Sequence, residues 1–126
     1  MSLLDEWISK AETDYKSAVA LNRRRREPLP DAVCYHCQQC LEKYLKAYLT
    51  AHGVTPPRIH DLEDLLELCA VCDTSLRTHS PLVRALNPYG VLIRYPGMTA
   101  TVPEANDAVR IVRRLRVVLR RGLGLR

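Results

Sequence analysis

The sequence contains no apolar run long enough to cross a membrane. No part of the 126-residue chain approaches the roughly 20 consecutive apolar residues that a membrane-spanning helix requires. The N-terminal segment MSLLDEWISKAETDYK is acidic and amphipathic, and it lacks both the basic and the apolar region of a secretory signal. We therefore expect a cytoplasmic protein that has no membrane partner.

The composition has none of the biases of a disordered or fibrous chain. Hydrophobic residues make up 47% and charged residues 26% of the sequence, as in ordinary globular proteins. A chain of this length is sufficient for one modest hydrophobic core. No internal repeat or low-complexity tract divides it, so we expect a single domain over residues 1–126.

The sequence also lacks any long alternation of apolar and polar residues, which would indicate strands. Apolar residues instead recur at spacings of three and four, the pattern of helices with one buried face. Short connections between such helices favour an all-α, antiparallel up-and-down bundle of four to five helices. The stretch 89–103, which holds two Gly and two Pro, is expected to be irregular. The first predicted helix runs from Ser2, which forms a capping box with Asp5, to about Asn22, and the breakers Pro28 and Pro30 follow it. The second runs from Asp31, its N-cap, to about His52, and the third begins near Asp61. The fourth runs from Ser80, its N-cap, to Asn87, and the last from near Pro103 to Gly122.

Five cysteines occur in a chain without an export signal, which favours free thiols over a disulfide framework. Cys34, Cys37 and Cys40 are spaced by three residues, and Cys69 and Cys72 repeat that spacing. Such a set offers thiolates for a tetrahedral zinc site, but it lies within strong helical periodicity, whereas zinc-binding pairs usually lie on loops. We therefore expect the cysteines to pack as small hydrophobic residues, and we predict no metal and no cofactor.

Arginine supplies most of the net charge of +5, a balance that favours acidic or phosphorylated partners. One basic cluster, 23–26, lies in the first predicted connection, and a second lies on the last predicted helix. Both offer contacts to nucleic-acid phosphates, but the lack of interleaved aromatic residues favours a plain solvent-facing surface. The second cluster consists of Arg110, Arg113, Arg114, Arg116, Arg120 and Arg121.

The most specific motif lies in the second predicted helix. Its residues 34–47, CYHCQQCLEKYLKA, are similar to the signature helix of the HEPN family, in which an aromatic residue, His, a small residue and Gln-Gln precede Glu-Lys and Leu-Lys-Ala. The resemblance covers almost the whole chain and is closest to small stand-alone prokaryotic HEPN proteins of the nucleotidyltransferase-associated type. Further landmarks follow in the family's order: Pro57, His60-Asp61-Leu62, Leu86-Asn87 with Tyr89, and Arg94-Tyr95-Pro96.

The resemblance implies a four- or five-helix bundle that forms a homodimer. It also implies a partner protein, because many HEPN proteins are encoded beside, or fused to, a minimal nucleotidyltransferase in toxin–antitoxin or defence systems. Some members bind nucleotides, and one large branch consists of metal-independent ribonucleases. A nucleotide or an RNA is therefore the ligand class that the resemblance suggests.

The ribonuclease branch of the family carries an Arg that is followed, after four to six intervening residues, by a His. The four histidines here are His36, His52, His60 and His79, and no Arg lies five to seven positions before any of them. The absence of this motif favours a protein that is not an enzyme.

A polar stripe runs along the second predicted helix beside the apolar face. It consists of His36, Gln39, Lys43, Lys46 and Thr50 at helical spacing. Two ammonium groups with an amide and an imidazole offer charge-assisted hydrogen bonds to a phosphate-bearing ligand. The alternative is a solvent-facing surface, on which Glu42 and Lys46 form an ordinary i,i+4 pair.

Three residues outside that helix complete the candidate ligand site. His60 either positions the loop beside a capping Asp61 or acts as a general base, although no nucleophile is identifiable from the sequence. Arg94 either clamps a phosphate or a partner's carboxylate, or bonds the free carbonyl groups of a helix end. Tyr95 is either a stacking platform or a residue at the edge of the core.

Three hypotheses of function follow from these residues. The favoured one is a non-catalytic binding module for a nucleotide or nucleic acid that works with a minimal nucleotidyltransferase in a toxin–antitoxin or defence system. The second is an RNA-cleaving HEPN toxin with non-standard catalytic residues. The third is a purely structural bundle that binds other proteins.

Overall fold

The computed structural model describes residues 1–126 as a bundle of five α-helices without strands. The predicted all-α bundle is confirmed. No helix has the length and apolar character that crossing a membrane would demand. The helices are α1 (Leu3–Asn22), α2 (Pro30–Ala51), α3 (Leu62–Ala70), α4 (Ser80–Leu86) and α5 (Val102–Gly122), with 3₁₀ helices at Thr74–His79, Asn87–Gly90 and Leu92–Arg94.

Two helices begin with a reciprocal capping box. In α1 the Ser2 hydroxyl accepts a hydrogen bond from the Asp5 amide at 3.1 Å, and the Asp5 carboxylate accepts one from the Ser2 amide at 3.2 Å. This box was predicted and is confirmed. Thr101 and Glu104 form an equivalent box at the start of α5. Each box satisfies two backbone donors that a helix start otherwise leaves free.

Two predicted helix starts were wrong. Helix α2 begins at Pro30 and its preceding residue is Leu29, so Asp31 is not the N-cap. Proline fits the first turn because its missing N–H is one of those without an intrahelical partner. The Asp31 carboxylate instead accepts a hydrogen bond from the Ala100 amide at 2.6 Å. Ser80 is likewise the first residue of α4, and no side chain caps that helix.

Helix α2 lies at the centre of the bundle, in contact with α1, α3 and α5. Glu12 pairs with Tyr44 and Asp14 pairs with His36, so a later residue of α1 meets an earlier residue of α2 and the two helices run antiparallel. Helix α5 runs in the same direction as α2, because Asp31 bonds Ala100 at one end and Gly122 packs against the Tyr48 ring at the other. The segment 87–101 makes this possible by returning along the bundle.

The core is built from the predicted apolar faces. Leu41, Tyr44, Leu45 and Leu49 of α2 are fully buried, and residues of the other helices surround them. Burial of each such large side chain contributes about 1.5–3 kcal/mol. The apolar face of α1 is less deeply buried than that of α2, since only its alanines are completely covered. On that face Ala11 and Ala18 are buried, while Leu4, Trp7, Ile8 and Tyr15 are half-buried.

A polar network joins α1, α2 and α5 at one side of the core. The Glu12 carboxylate accepts hydrogen bonds from Arg116 Nε at 2.7 Å and from the Tyr44 hydroxyl at 2.5 Å. Arg120 Nη1 donates to the Tyr44 hydroxyl at 3.0 Å. Hydrogen bonding from Arg116 lowers the pKa of Glu12. Burial, and then the bond to Glu12, raises the pKa of Tyr44 to about 12.

Candidate functional site

The predicted polar stripe lies on one face of α2, beside α1. His36, Gln39 and Lys43 are half-buried and Lys46 is buried, so the stripe is not a plain solvent-facing surface. The half-buried setting follows from the packing of α2 against α1 and against the 3₁₀ helices that follow α4. Charges on this face therefore interact through less water than charges on an open surface.

Asp14 of α1 organises the first half of the stripe. Its carboxylate contacts His36 Nδ1 at 2.8 Å and Lys43 Nζ through the other oxygen. The Asp14 side chain is only 10% exposed. Sequence analysis missed this residue, although a signal was present: Asp14 lies three residues after Ala11 and four before Ala18, so it is a carboxylate on the apolar face of α1.

Glu42 organises the second half of the stripe. Its carboxylate bonds Lys46 Nζ at 3.2 Å and His60 Nδ1 at 3.1 Å, and it accepts a longer hydrogen bond from Gln38 Nε2 at 3.4 Å. The Glu42 and Lys46 side chains are 5% and 7% exposed. The predicted i,i+4 pair therefore exists, but it is buried. Lys46 Nζ also lies 5.7 Å from the centroid of the Trp7 ring.

Gln38 is completely buried and connects three segments of the site. Its Nε2 donates to the His60 carbonyl at 3.3 Å, and its Oε1 accepts from Gln39 Nε2 at 2.7 Å. Gly90 lies directly against this amide, and a Cβ atom at position 90 would be 2.6 Å from Gln38 Nε2. A residue larger than glycine therefore cannot occupy position 90 without displacing Gln38.

Arg94 is the cation of this face that no carboxylate compensates. It is exposed, it forms no ion pair, and its side chain makes no hydrogen bond, so it does not cap a helix end. Its guanidinium carbon lies 5.3 Å from the centroid of the Tyr35 ring, in cation–π geometry. The Tyr35 ring in turn meets the His36 ring edge to face, with centroids 5.7 Å apart.

The structure thus places six of the seven predicted site residues in two adjacent networks on this face, one around Asp14 and one around Glu42. With neutral histidines, Lys43, Lys46 and Arg94 carry three positive charges, and Asp14 and Glu42 carry two negative ones. The excess positive charge resides on Arg94, at the exposed edge of the face. The network around Asp14 contains His36, Lys43 and, through the Tyr35 ring, Arg94. The network around Glu42 contains Lys46, His60 and, through Gln38, Gln39.

His60 is the exposed end of the Glu42 network, and Tyr95 lies outside both networks. The His60 side chain is 66% exposed and borders an open cavity of about 440 Å³ that Arg84, Asn87 and Leu92 also line. Tyr95 is 61% exposed and makes no side-chain hydrogen bond, so it does not belong to the edge of the core.

The residue after His60 performs the predicted capping role. The Asp61 carboxylate accepts a hydrogen bond from the Asp64 amide at 3.0 Å and another from Asn87 Nδ2 at 3.1 Å. These bonds, the first of them above all, lower the pKa of Asp61. Asn87 also accepts from the Leu62 amide at 2.8 Å, which fixes the start of α3 against the end of α4.

The cysteines do not converge on a metal centre. Cys34, Cys37, Cys40 and Cys69 are buried among apolar side chains, and Cys72 is exposed. No group of three or more His, Cys, Asp or Glu side chains has the arrangement to hold a metal ion. Burial raises the pKa of the Cys34 and Cys69 thiols to about 12, so both are neutral thiols near neutral pH.

Comparisons with known proteins identify the family of this architecture. The family model described as HEPN domain matches residues 4–121. A solved structure titled as that of ST0689, an archaeal HEPN homologue, superimposes with a TM-score of 0.73 at 21% sequence identity. The match covers 95% of this chain and 97% of that one. A search of curated proteins gives no significant match.

Proposed function

The chain belongs to the HEPN domain family, and from this premise we propose that it is a non-catalytic module that binds a nucleotide or a nucleic-acid terminus on the exposed edge of the α2 face. The observation that carries the proposal is the uncompensated Arg94, held over Tyr35 beside His36. The unpaired Arg94 guanidinium offers two parallel N–H donors to phosphate oxygens. The neighbouring His36 ring offers a surface on which a base can stack.

The lysines of the stripe have unequal parts in this proposal. The Lys43 side chain is 23% exposed, so its ammonium group can bind a phosphate while it remains paired with Asp14. Lys46 is held by Glu42 and has little contact with solvent, so it supports the site from beneath rather than reaching the ligand. Gln39 is half-buried beside Gln38 and offers its amide to a sugar or a base.

The test is titration of a fluorescent ATP analogue into wild type and Arg94→Gln, at low and at physiological salt. Loss of one charge-assisted bidentate contact corresponds to a fall in affinity of about tenfold or more. Arg77→Gln is the matched control, since it removes one exposed positive charge near α3, away from this face. Equal affinity of the two variants, or no binding by wild type at either salt, would refute the site.

A specific observation supports the alternative of an RNA-cleaving protein. Asp14 fixes the His36 imidazole through Nδ1 at 2.8 Å, which is how carboxylates orient a catalytic base. We nevertheless expect no cleavage above background, because the family's Arg–His spacing is absent. RNA cleavage by the pure protein that disappears in both His36→Ala and Arg94→Gln, but persists in His79→Ala, would favour the enzyme instead.

We also propose that a second copy of the chain covers the margin of the site. Val91, Leu92 and Tyr95 are exposed in one short segment that continues the face of Arg94. Three exposed apolar side chains in so short a segment fit a contact between copies, which would shield the bound phosphate from water. Sedimentation should give a dimer for wild type and a monomer for Leu92→Asp. A monomeric wild type at micromolar concentration would contradict the dimer.

Resemblance to HEPN proteins encoded beside minimal nucleotidyltransferases supports a further part of the proposal, a partner of that class in a toxin–antitoxin or defence system. The measurement is co-purification after co-expression with any small nucleotidyltransferase encoded by an adjacent gene. Absence of such a gene, or of a complex with its product, would remove this part and leave the ligand site unaffected.

A further inference from the structure

The arginines of α5 divide into a half-buried group and an exposed group. Arg116 and Arg120 are half-buried in the network around Glu12. Four other arginines are exposed and lie within about 100° of one another around the helix axis at 100° per residue. These four, Arg110, Arg113, Arg114 and Arg121, together with Arg23–Arg26 in the α1–α2 connection, are called the arginine stripe.

The fold makes these two sequence clusters one surface. Arg23, Arg24 and Arg25 line a shallow cavity of about 430 Å³ together with Val102 and Asn106, at the start of α5. From position 106 to position 121 the exposed face of α5 extends for about 22 Å at 1.5 Å per residue. The stripe therefore continues from the connection along nearly the whole of α5.

Little negative charge compensates the stripe. Asp107 pairs with Arg110 at 3.0 Å and Glu27 pairs with Arg24 at 3.9 Å, while Arg113 donates to the Tyr15 hydroxyl at 3.3 Å. The other five arginines make no ion pair with the protein. Eight arginines and two paired carboxylates carry a charge of +6, whereas the whole chain carries +5. All remaining residues together are thus close to neutral, with a charge of −1.

We propose that the arginine stripe binds the phosphodiester backbone of double-stranded nucleic acid without reading its bases. Guanidinium groups match phosphate oxygens in bidentate geometry, and they remain charged at all physiological pH values. A duplex advances 3.4 Å per phosphate along each strand, so a 22 Å stripe faces about six phosphates. This surface is separate from the α2 face, and its function goes beyond the one proposed for that face.

The side chains between the arginines decide which polyanion fits. Asn106 and Val117 occupy the intervening exposed positions of α5 and offer no ring on which unpaired bases would stack. The Tyr15 ring next to Arg113 is half-buried, and the Arg116 guanidinium covers it at 4.4 Å from the ring centroid. A membrane surface would need an apolar helix face to insert into lipid. The apolar face of α5, which includes Val112, Leu115 and Leu119, is instead buried in the core.

The test measures fluorescence anisotropy of a labelled RNA duplex and of a DNA duplex of the same sequence over a range of salt concentrations. Affinity should fall with salt along a log–log slope of about −3 to −5, since each neutralised phosphate contributes about −0.9. The variant Arg25→Gln, Arg114→Gln, Arg121→Gln should bind more than about 30-fold more weakly, with a slope shallower by two to three. Binding of either duplex supports the proposal, because RNA and DNA share the phosphodiester backbone.

The matched control is the triple variant Arg58→Gln, Arg77→Gln, Arg84→Gln, which removes the same charge from exposed positions outside the stripe. It should retain wild-type affinity within about threefold. Equal losses in the two triple variants, a preference for one duplex sequence, or binding to phosphatidylserine vesicles but not to duplexes would overturn the proposal.

Titration with the ATP analogue separates this proposal from that for the α2 face. The stripe variant should bind the analogue as wild type does, and Arg94→Gln should bind the duplex as wild type does. Each site can therefore fail without the other. Circular dichroism should show the same helical spectrum for all variants, because none of the substituted side chains is buried.

Discussion

Individual carboxylates set the character of the α2 face. Asp14 and Glu42 each hold two basic groups, and both are almost inaccessible to water. A buried charge is tolerated only when it is paired, because its desolvation is otherwise uncompensated. The lysines that look like free ligand contacts in the sequence are therefore structural partners first. A phosphate can recruit them only by competing with a carboxylate that already holds them.

Removal of the Lys46 ammonium group should strongly destabilise the fold. We expect Lys46→Met to lower the free energy of unfolding by about 3 kcal/mol, because Glu42 would remain buried without its main counter-charge. Urea denaturation measures the change. Lys16→Met on the exposed side of α1 is the control and should be within about 0.5 kcal/mol of wild type. A comparably small change for Lys46→Met would show that Glu42 does not require its partner.

Close approach of Gly90 to Gln38 gives a second prediction at this scale. We expect Gly90→Ala to lower the free energy of unfolding by about 1–3 kcal/mol, because the added Cβ overlaps a buried amide that is held by hydrogen bonds. In a Gln38→Ala background the same substitution should cost much less, which a double-mutant cycle by urea denaturation measures. Equal costs in the two backgrounds would exclude steric contact as the cause.

At the scale of helices, sequence periodicity predicted which helix faces are buried, but it did not predict which side chains meet across two helices. The apolar faces of α2, α3 and α5, the capping by Ser2 and the capping by Asp61 followed from spacing and side-chain chemistry. The partners of Lys43 and His60 lie on other segments, and sequence spacing contains no information about which residues meet across helices.

The prediction of helix boundaries was wrong where a residue had two possible roles. Pro30 was interpreted as a breaker, although it starts α2, and Asp31 was interpreted as a cap, although it anchors Ala100. The 3₁₀ helix Thr74–His79 was not predicted, because this segment buries only Leu76 and so has no apolar period. Such short elements depend on the contacts of their neighbours.

Positions of the cysteines within these elements predict a sharp difference in thiol reactivity. Cys72 follows the end of α3 and is exposed, whereas the other four lie on buried faces of α2 and α3. At pH 8 we expect one thiol per chain to react rapidly with a disulfide reagent such as DTNB, and all five to react after unfolding in guanidinium. Cys72→Ser should abolish the rapid phase. Rapid reaction of two or more native thiols would place at least one of the four cysteines of α2 and α3 outside the core.

For the molecule as a whole, the network around Glu12 makes stability depend on pH at both extremes. The pKa of Tyr44 is raised to about 12 in the fold, so its stabilising contribution is complete below its ordinary pKa of about 10 and is lost as pH rises through 12. The pKa of Glu12 is lowered, so its contribution is present above its ordinary pKa and is lost as pH falls through the lowered value.

The alkaline arm of this dependence isolates one residue. We expect the free energy of unfolding to decline more steeply between pH 9.5 and 11.5 in wild type than in Tyr44→Phe, because the variant has one fewer group with a raised pKa. Urea denaturation at each pH measures the slope. Tyr15→Phe is the control and should retain the wild-type slope. Identical slopes for wild type and Tyr44→Phe would contradict the assignment.

The same network joins two residues that are 104 positions apart, Glu12 and Arg116. Closing so long a loop has a high entropic cost, whereas the α1–α2 hairpin forms through contacts that are close along the chain. The order of folding should therefore be hairpin first and α5 last. If so, Arg116→Gln, which changes only the α5 side of this pair, will accelerate unfolding in stopped-flow kinetics and leave the refolding rate nearly unchanged. A variant that refolds much more slowly would mean that α5 docks before the rate-limiting barrier.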